Sequence, residues 1–517
     1  MRYLLLLSAL VVAQPSFADA AGDRWFSHVK VLADDNMEGR LTGSPGYDRA
    51  AAYVSGQFQK LGLKPAGVNG YLQPVALKEQ RIDIAQSKLA LDGVPLVIGE
   101  QVLLGTRVPQ LPTAFDAPLV FLGYGLHLPD SGHDDFAGQD LKGKIVVTLA
   151  GKPNSISGAL ASHARSAELW PAMQKAGAIG LVTIANPSQM DVPWARQKLS
   201  VATPGMRLAD PALNDAKQPF LTAAFSPAEA EMLFAGSGTS FAEILKKADA
   251  GENLPAINLN KKLSGEVFAL DRELSSPNVV GLLPGSDPKL AGEYVVLSAH
   301  LDHVGVDKPV NGDSIYNGAM DNASGIATMI EVGRELVKAK PKRSVLFVAV
   351  TGEERGLLGS RFNANKPTVD PKAVVANINM DMYLPLWPFT TVTALGSEDS
   401  SLGPVSAQVA ASLGVKQIPD QEPQRNLFVR SDQYSWVRVG VPALALKFAA
   451  VTPEEKAIQK AWLTERYHAP SDDLNQPINP DYAVAFNRYL EKLIVAVADA
   501  PVRPSWNADS FFRRFAK

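Results

Sequence analysis

Apolar and polar positions follow three different rhythms along this chain, and each predicts a different architecture. Over residues 22–67 the spacing is helical: Trp25, Val29, Leu32 and Ala33 share one stripe, and residues 47–61 form a second helix closed by Gly62. The Gly-rich stretch 38–46 between them reads as a scaffold loop with room to border a pocket. Over residues 81–263 short β-rich runs take over, at 89–91, 117–122, 144–149, 179–184 and 220–225, separated by Gly, Pro and Asp turns. A short helix, 170–176, interrupts them. From Pro277 onward strands are predicted at 278–283, 294–299, 345–351, 374–380, 391–394 and 443–448. Helices at 326–340, 357–365, 402–413 and 482–498 fall between or after them. That alternation predicts an α/β fold: a mostly parallel sheet covered by helices on both faces, with a β-rich accessory domain inserted. The aromatic and basic tail, 505–517, reads as a terminal segment docking its Trp and Phe on the body.

Length and composition agree with several cores. At 517 residues the chain exceeds one ordinary domain, and 46% hydrophobic with 20% charged residues is a globular composition. A formal net charge of -3 gives no case for nucleic acid or an anionic membrane as partner. The first residues read as an export signal: Arg2, an apolar core at 3–12, and the small-x-small site Ala18-Asp19-Ala20. The apolar run is too short to span a bilayer. With no Cys in the chain, neither disulfides nor a lipid anchor on Cys are expected. These features predict a bacterial periplasmic or secreted protein without a stable membrane anchor. They divide the chain into a signal (1–20), two parts of a main domain (21–80 and 264–500), the insert (81–263) and a tail (501–517).

Candidate chemistry gathers where strands give way to loops, the position at which open α/β sheets hold their sites. The run 294–299 ends in His300-Leu301-Asp302, and a Gly/Asn/Asp-rich loop leads on to Asp321-Asn322-Ala323-Ser324-Gly325. Glu353-Glu354 follows the run 345–351, Asp381 follows 374–380, and a late loop carries Tyr467, His468 and Asp472. His and carboxylates are donors that zinc takes, and two close divalent ions need a carboxylate shared between them. Each ion also needs a His and a terminal carboxylate, with one position open to water and substrate. His300, Asp321, Glu354, Asp381 and His468 supply those ligands. Glu353 adjoins a ligand and is placed to take a proton from water, while Asp302 is placed to orient His300. Taken singly, each residue has an ordinary explanation; the set does not. His127, His133 and His163 are scattered through the insert and read as surface or packing residues.

The motifs His300-x-Asp302, Asp321-Asn322-Ala323-Ser324-Gly325, Glu353-Glu354, Asn379-Met380-Asp381 and Tyr467-His468-x-Pro470-x-Asp472 resemble those of the co-catalytic di-zinc exopeptidases. That group comprises bacterial leucyl-type aminopeptidases, aminopeptidase Y and glutamate carboxypeptidase. The likeness covers about residues 23–67 and 277–498. The insert, with Phe121-Leu122-Gly123-Tyr124-Gly125, Leu141-Lys142-Gly143-Lys144-Ile145-Val146 and Ala176-Gly177-Ala178-Ile179-Gly180, looks like a protease-associated domain. The resemblance implies two zinc ions per chain: His300 and Asp381 on one, Glu354 and His468 on the other, Asp321 bridging. It implies Glu353 as general base and Tyr467 as donor to the oxyanion. Ser431-Asp432-Gln433 departs from the Ser-Asp-His frequent in the family, which bears on the shape of the substrate pocket. His303 reads as a pocket wall rather than a spare ligand.

The expected function is a di-zinc aminopeptidase acting on peptides. Its rivals are a carboxypeptidase or dipeptidase of the same fold and a non-catalytic binding protein that has lost its metals. A terminal carboxylate would need Arg or Lys, with Arg40, Arg355, Arg361, Arg425 and Arg430 as candidates. Neither a G-x-S-x-G elbow nor an H-E-x-x-H helix is present. Oligomeric state and preferred residue stay open.

Overall fold

The computed structural model describes residues 17–190, 193–198 and 203–516. Most of the expected export signal lies outside the described residues. Two sheets organise the rest. The larger has ten strands, and its centre is parallel: Ser344–Val350, Tyr294–His300, Val374–Met380 and Ala443–Phe448 lie side by side. These strands read as near-continuous apolar runs because both faces are covered. Val295, Leu297, Ala299, Val345 and Phe347 face a layer holding Trp25, Val54, Phe58, Ile326, Ile330 and Leu490. Their neighbours Val296, Leu346, Val348 and Val350 face the opposite side, against Ala364 and Trp436. Period-two alternation thus splits one sheet between two helical layers.

The expected parallel sheet forms the centre, and antiparallel strands flank it. Ala269–Leu283 pairs antiparallel with both Ser344–Val350 and Leu72–Ile82, and Thr391–Leu395 runs antiparallel to Ala443–Phe448. The sheet is therefore mixed. The reason lies in the chain's path: it leaves for the accessory body along Leu72–Ile82 and returns along Ala269–Leu283, so exit and re-entry lie side by side. The accessory body is an eight-stranded sheet built from segments between Lys88 and Glu266, with its own core around Phe121, Phe225, Phe234 and Phe241. One of its excursions, Gly205–Leu208, crosses back and pairs with Leu72–Ile82 in the larger sheet.

Several elements escaped the apolar pattern. The helices Phe241–Asp249 and Pro453–Glu465 were not expected, yet each opens with a capping box, Ser240 with Glu243 and Thr452 with Glu455. The loop after His303 contains a hairpin, Gly305–Val310 with Asp313–Tyr316. Its tip is Asn311-Gly312, both at positive φ (52° and 89°), the conformation a tight hairpin turn requires. Among the described residues no helix is long and apolar enough to cross a membrane.

Candidate metal centre

Parallel register brings the donors together. His300 is level with Val350 on the neighbouring strand, so Glu353 and Glu354 leave the sheet beside it. On the other side Ser298 is level with Asn379, which places Asp381 one step beyond the same edge. Asp321 arrives from the irregular turn before the helix Ser324–Ala339. Two devices fix that turn. The Asp472 carboxylate accepts the N–H groups of Met320 (2.9 Å) and Asp321 (3.0 Å), and the Asn322 amide donates to the Met380 carbonyl (2.9 Å). Below the site Arg40, buried in the Gly-rich loop, donates to the carbonyls of Leu301, Asn317 and Gly318 at 2.8, 2.6 and 2.9 Å. Burial pushes its guanidinium down to about 10. It ties three loops together through backbone carbonyls.

The five expected ligands form one cluster. His300 Nε2 lies 3.2 Å from Asp321 Oδ1 and 3.4 Å from Asp381 Oδ1. His468 Nε2 lies 3.3 Å from Asp321 Oδ2 and 3.0 Å from Glu354 Oε2. Asp321 therefore turns one oxygen to each histidine. Donors arranged tetrahedrally at 2.0–2.2 Å from a zinc ion sit roughly 3.3–3.6 Å apart, close to these separations. The charges also ask for a cation. Asp302, Asp321 and Glu353 to Glu354 are buried or nearly so, and the ion-pair partners of Asp321, Glu354 and Asp381 among the described residues are histidines alone. Several carboxylates in low dielectric whose direct ion pairs are with histidines are costly unless a metal compensates them.

The carboxyls divide by protonation. Burial alone would raise Asp321, but hydrogen bonds from His300 and His468 hold it well below the usual range. Glu354 is held at about 2, the two histidines facing it outweighing burial and the nearby Asp321. Glu353 goes the other way: burial, then the charges of Asp381, Asp432 and Glu354, push it well above the carboxylate range. Of the cavity carboxyls Asp321, Glu353 and Asp381, it alone is raised, the other two being held below their ordinary values. Burial likewise raises Tyr467, whose phenol stays protonated and stacks on His468 with ring centres 3.9 Å apart. Glu353, Asp321, Asp381, Tyr467 and His468 all line one open cavity.

Two expectations need correcting. The Asp302 carboxylate does not orient His300; the His300 ring meets the Asp302 backbone carbonyl instead, Nδ1 to O at 3.1 Å. The carboxylate accepts the N–H groups of Glu353 (3.1 Å) and Glu354 (3.3 Å) and the Thr42 hydroxyl (3.1 Å), because it points back across the strand ends toward the Glu-Glu turn. His303 is not a mere wall. Its Nδ1 lies 2.8 Å from Glu354 Oε1 and 3.8 Å from Asp321 Oδ2, within the second donor group. Thr42 and Asp432 also went unmarked as site residues; Asp432 is wholly buried and pushed up to about 7, by burial first. His127, His133 and His163 pair with Asp134, Asp135 and Glu168 inside the accessory body, away from the cluster.

Fold and site together define the class: an α/β protein whose sheet edge presents a buried histidine–carboxylate centre suited to cations. Residues 278–494, the segment that carries the donors from His300 to His468, match Peptidase family M28. The relationship inferred from the motifs and this match coincide on the same segment. A protein of Pyrenophora teres f. teres named "Probable zinc metalloprotease" is 31% identical over 144 residues, covering 27% of this chain and 30% of that protein. A protein of Trichophyton verrucosum named "Probable leucine aminopeptidase" is 30% identical over 123 residues, covering 23% and 32%. The match thus spans about a third of the curated relatives' length. In structure the chain resembles an aminopeptidase from Aneurinibacillus sp. strain AM-1, with a TM-score of 0.55, 20% identity and coverage of 93% and 95%. At that identity the likeness speaks for the fold.

Proposed function

We propose that the chain is a zinc-dependent metallo-exopeptidase, an aminopeptidase that removes N-terminal residues from peptides. The observation that carries it is Asp321, one oxygen toward His300 and the other toward His468, with a protonatable Glu353 on the wall of the same cavity. His300 and Asp381 would hold one ion, Glu354 and His468 a second, with Asp321 between them. Zinc, when bound, supplies Lewis acidity toward a peptide carbonyl and toward water. The chain's own groups do the rest. Glu353 takes the proton of the attacking water and returns it to the departing nitrogen. Tyr467, kept protonated, donates to the oxyanion that develops at the carbonyl. The motif-bearing accessory body is read as a protease-associated domain beside the cleft. It reaches the site through Arg107, whose Nη2 lies 3.5 Å from the Glu354 carbonyl. Export to the periplasm or the medium rests on the N-terminal sequence alone.

The test is metal content with paired assays. The full chain should bind close to two zinc ions and cleave aminoacyl-anilides, and Glu353→Ala should keep its metal while losing about 10²–10⁴-fold in kcat. Activity on N-blocked dipeptides only would move the reading to a carboxypeptidase. Failure to bind offered zinc would leave a binding protein.

A further inference from the structure

The cavity that holds the metal donors also carries cationic side chains. Beside Asp321, Glu353, Asp381 and His468 the cavity is lined by Arg425, Arg430 and Lys447, and its only acidic residues among those described are the three carboxylates at the metal end. Arg425 is paired with Glu422 at 3.1 Å. Among the described residues the other two cations have no carboxylate partner: Arg430 is exposed and reaches the Arg425 carbonyl at 3.5 Å, while Lys447 Nζ donates to the Asp381 carbonyl at 2.9 Å.

The loop that carries the arginines is held in place. Gln433, standing where a histidine was expected, is buried, and its amide donates to the Phe428 carbonyl at 2.7 Å. Its oxygen accepts from Asn379 at 3.0 Å, and Asn379 lies on the strand that delivers Asp381. The departure from Ser-Asp-His thus locks the arginine loop to the metal edge. The remaining arginines are otherwise engaged. Arg40 is spent on backbone carbonyls, Arg361 pairs with Asp215 at 3.2 Å, and Arg355 lines a different groove. The same lining includes the apolar side chains Leu384, Leu427 and Leu463.

We infer that this cavity is a carboxylate-binding subsite. It takes a substrate carboxylate, either the C-terminus of a dipeptide or an acidic side chain, through Arg430 and Arg425, with Lys447 in the same lining. Arginine forks suit carboxylates, and unpaired cations in a partly closed cavity repel a basic side chain. The inference rests on the peptidase reading for the identity of its ligand, so binding and cleavage are measured separately.

The experiment uses zinc-loaded full-length Glu353→Ala, which blocks turnover, and calorimetry with two pairs of ligands. The first pair is Leu-Leu against Leu-Leu-amide; the second is Glu-Leu-amide against Gln-Leu-amide. At least one acid should bind about tenfold or more tightly than its amide, a preference of about 1.4 kcal/mol. Preference in the first pair identifies a C-terminal carboxylate, and in the second an acidic side chain. Adding Arg430→Gln should shrink the preference to within about threefold. Arg425→Gln serves as the second variant, with melting curves to check that each folds. Equal binding within both pairs, no binding of any, or a preference that survives both substitutions overturns the subsite. An intact acid preference in a chain that cleaves nothing would sink the peptidase reading and leave the subsite standing.

Discussion

His303 shows how one ring can set the geometry of a neighbour. It is completely buried, its Nδ1 faces Glu354 Oε1, and its Nε2 finds no hydrogen-bond partner. An unpaired acceptor nitrogen is cheaper to bury than an unpaired N–H, so the proton belongs on Nδ1, donated to Glu354. The ring then holds one Glu354 oxygen and leaves the other toward His468. His303→Ala should weaken zinc binding about 10–100-fold, read by competition with a chelator, and His303→Asn, whose amide can stand in for Nδ1–H, should recover part of it. Unchanged affinity in the alanine variant would return His303 to a wall. Asp302 acts at the same scale but on main chain. By accepting both N–H groups of the Glu-Glu turn it sets where the Glu353 and Glu354 side chains begin.

At the scale of elements, the site depends on how closely the Asp321 turn presses on the His303 loop. Gly318 opens that turn at φ 60°, and a Cβ there would lie 2.2 Å from the Asp321 carbonyl and 2.6 Å from the His303 ring. Both the conformation and the space call for glycine. Gly318→Ala should lower stability by about 1–3 kcal/mol and weaken zinc binding, measured by melting and by the same chelator competition. A variant that melts like the parent would mean the turn relaxes without cost. The parallel register works beside this contact. Three strands ending at one level turn a row of loop residues into a cluster, which a single strand cannot do.

Across the whole molecule, the accessory body is clasped to the larger sheet by polar and aromatic contacts around its own histidine. His163 bridges the Tyr434 hydroxyl and, at 2.9 Å, Glu168, and packs edge-on against Phe511 and Phe515 of the tail. Asp215 pairs with Arg361 and with Arg438, at 3.2 and 2.7 Å. Phe512 is buried against Phe428 of the arginine loop, and Trp506 donates to the Gly440 carbonyl at 2.9 Å. The tail therefore docks on the body and steadies the loop that lines the cavity. The hydrogen bond from His163 holds the Glu168 carboxylate below its ordinary value, ahead of the opposing effect of burial. A depressed folded value stabilises above the unfolded carboxylate pKa of about 4.3 and is lost as pH falls through the folded value. Glu168→Gln should melt below the parent at neutral pH, with the gap closing between about pH 5 and pH 3. A gap independent of pH would show that the charge on Glu168 contributes nothing.

The sequence by itself determined the strand ends and the donors on them. Buried parallel strands must be apolar on both faces, so His300, Glu353, Glu354 and Asp381 stood out where the apolar runs stopped. The capping boxes at Ser240 and Thr452 and the Asn311-Gly312 turn were legible too, through local hydrogen-bonding chemistry rather than apolar period. Tertiary structure alone decided which group each polar side chain meets. Asp302 reaches Thr42 and the Glu-Glu turn, His303 reaches Glu354, Arg40 is consumed by carbonyls, and Gln433 ties the arginine loop to Asn379. It also decided that Gly205–Leu208 returns to the larger sheet and that the flanks of that sheet run antiparallel. The physical reason is range. Periodicity records which side of an element is dry, whereas a hydrogen bond between residues far apart in sequence depends on the direction of two side chains after the whole chain has packed.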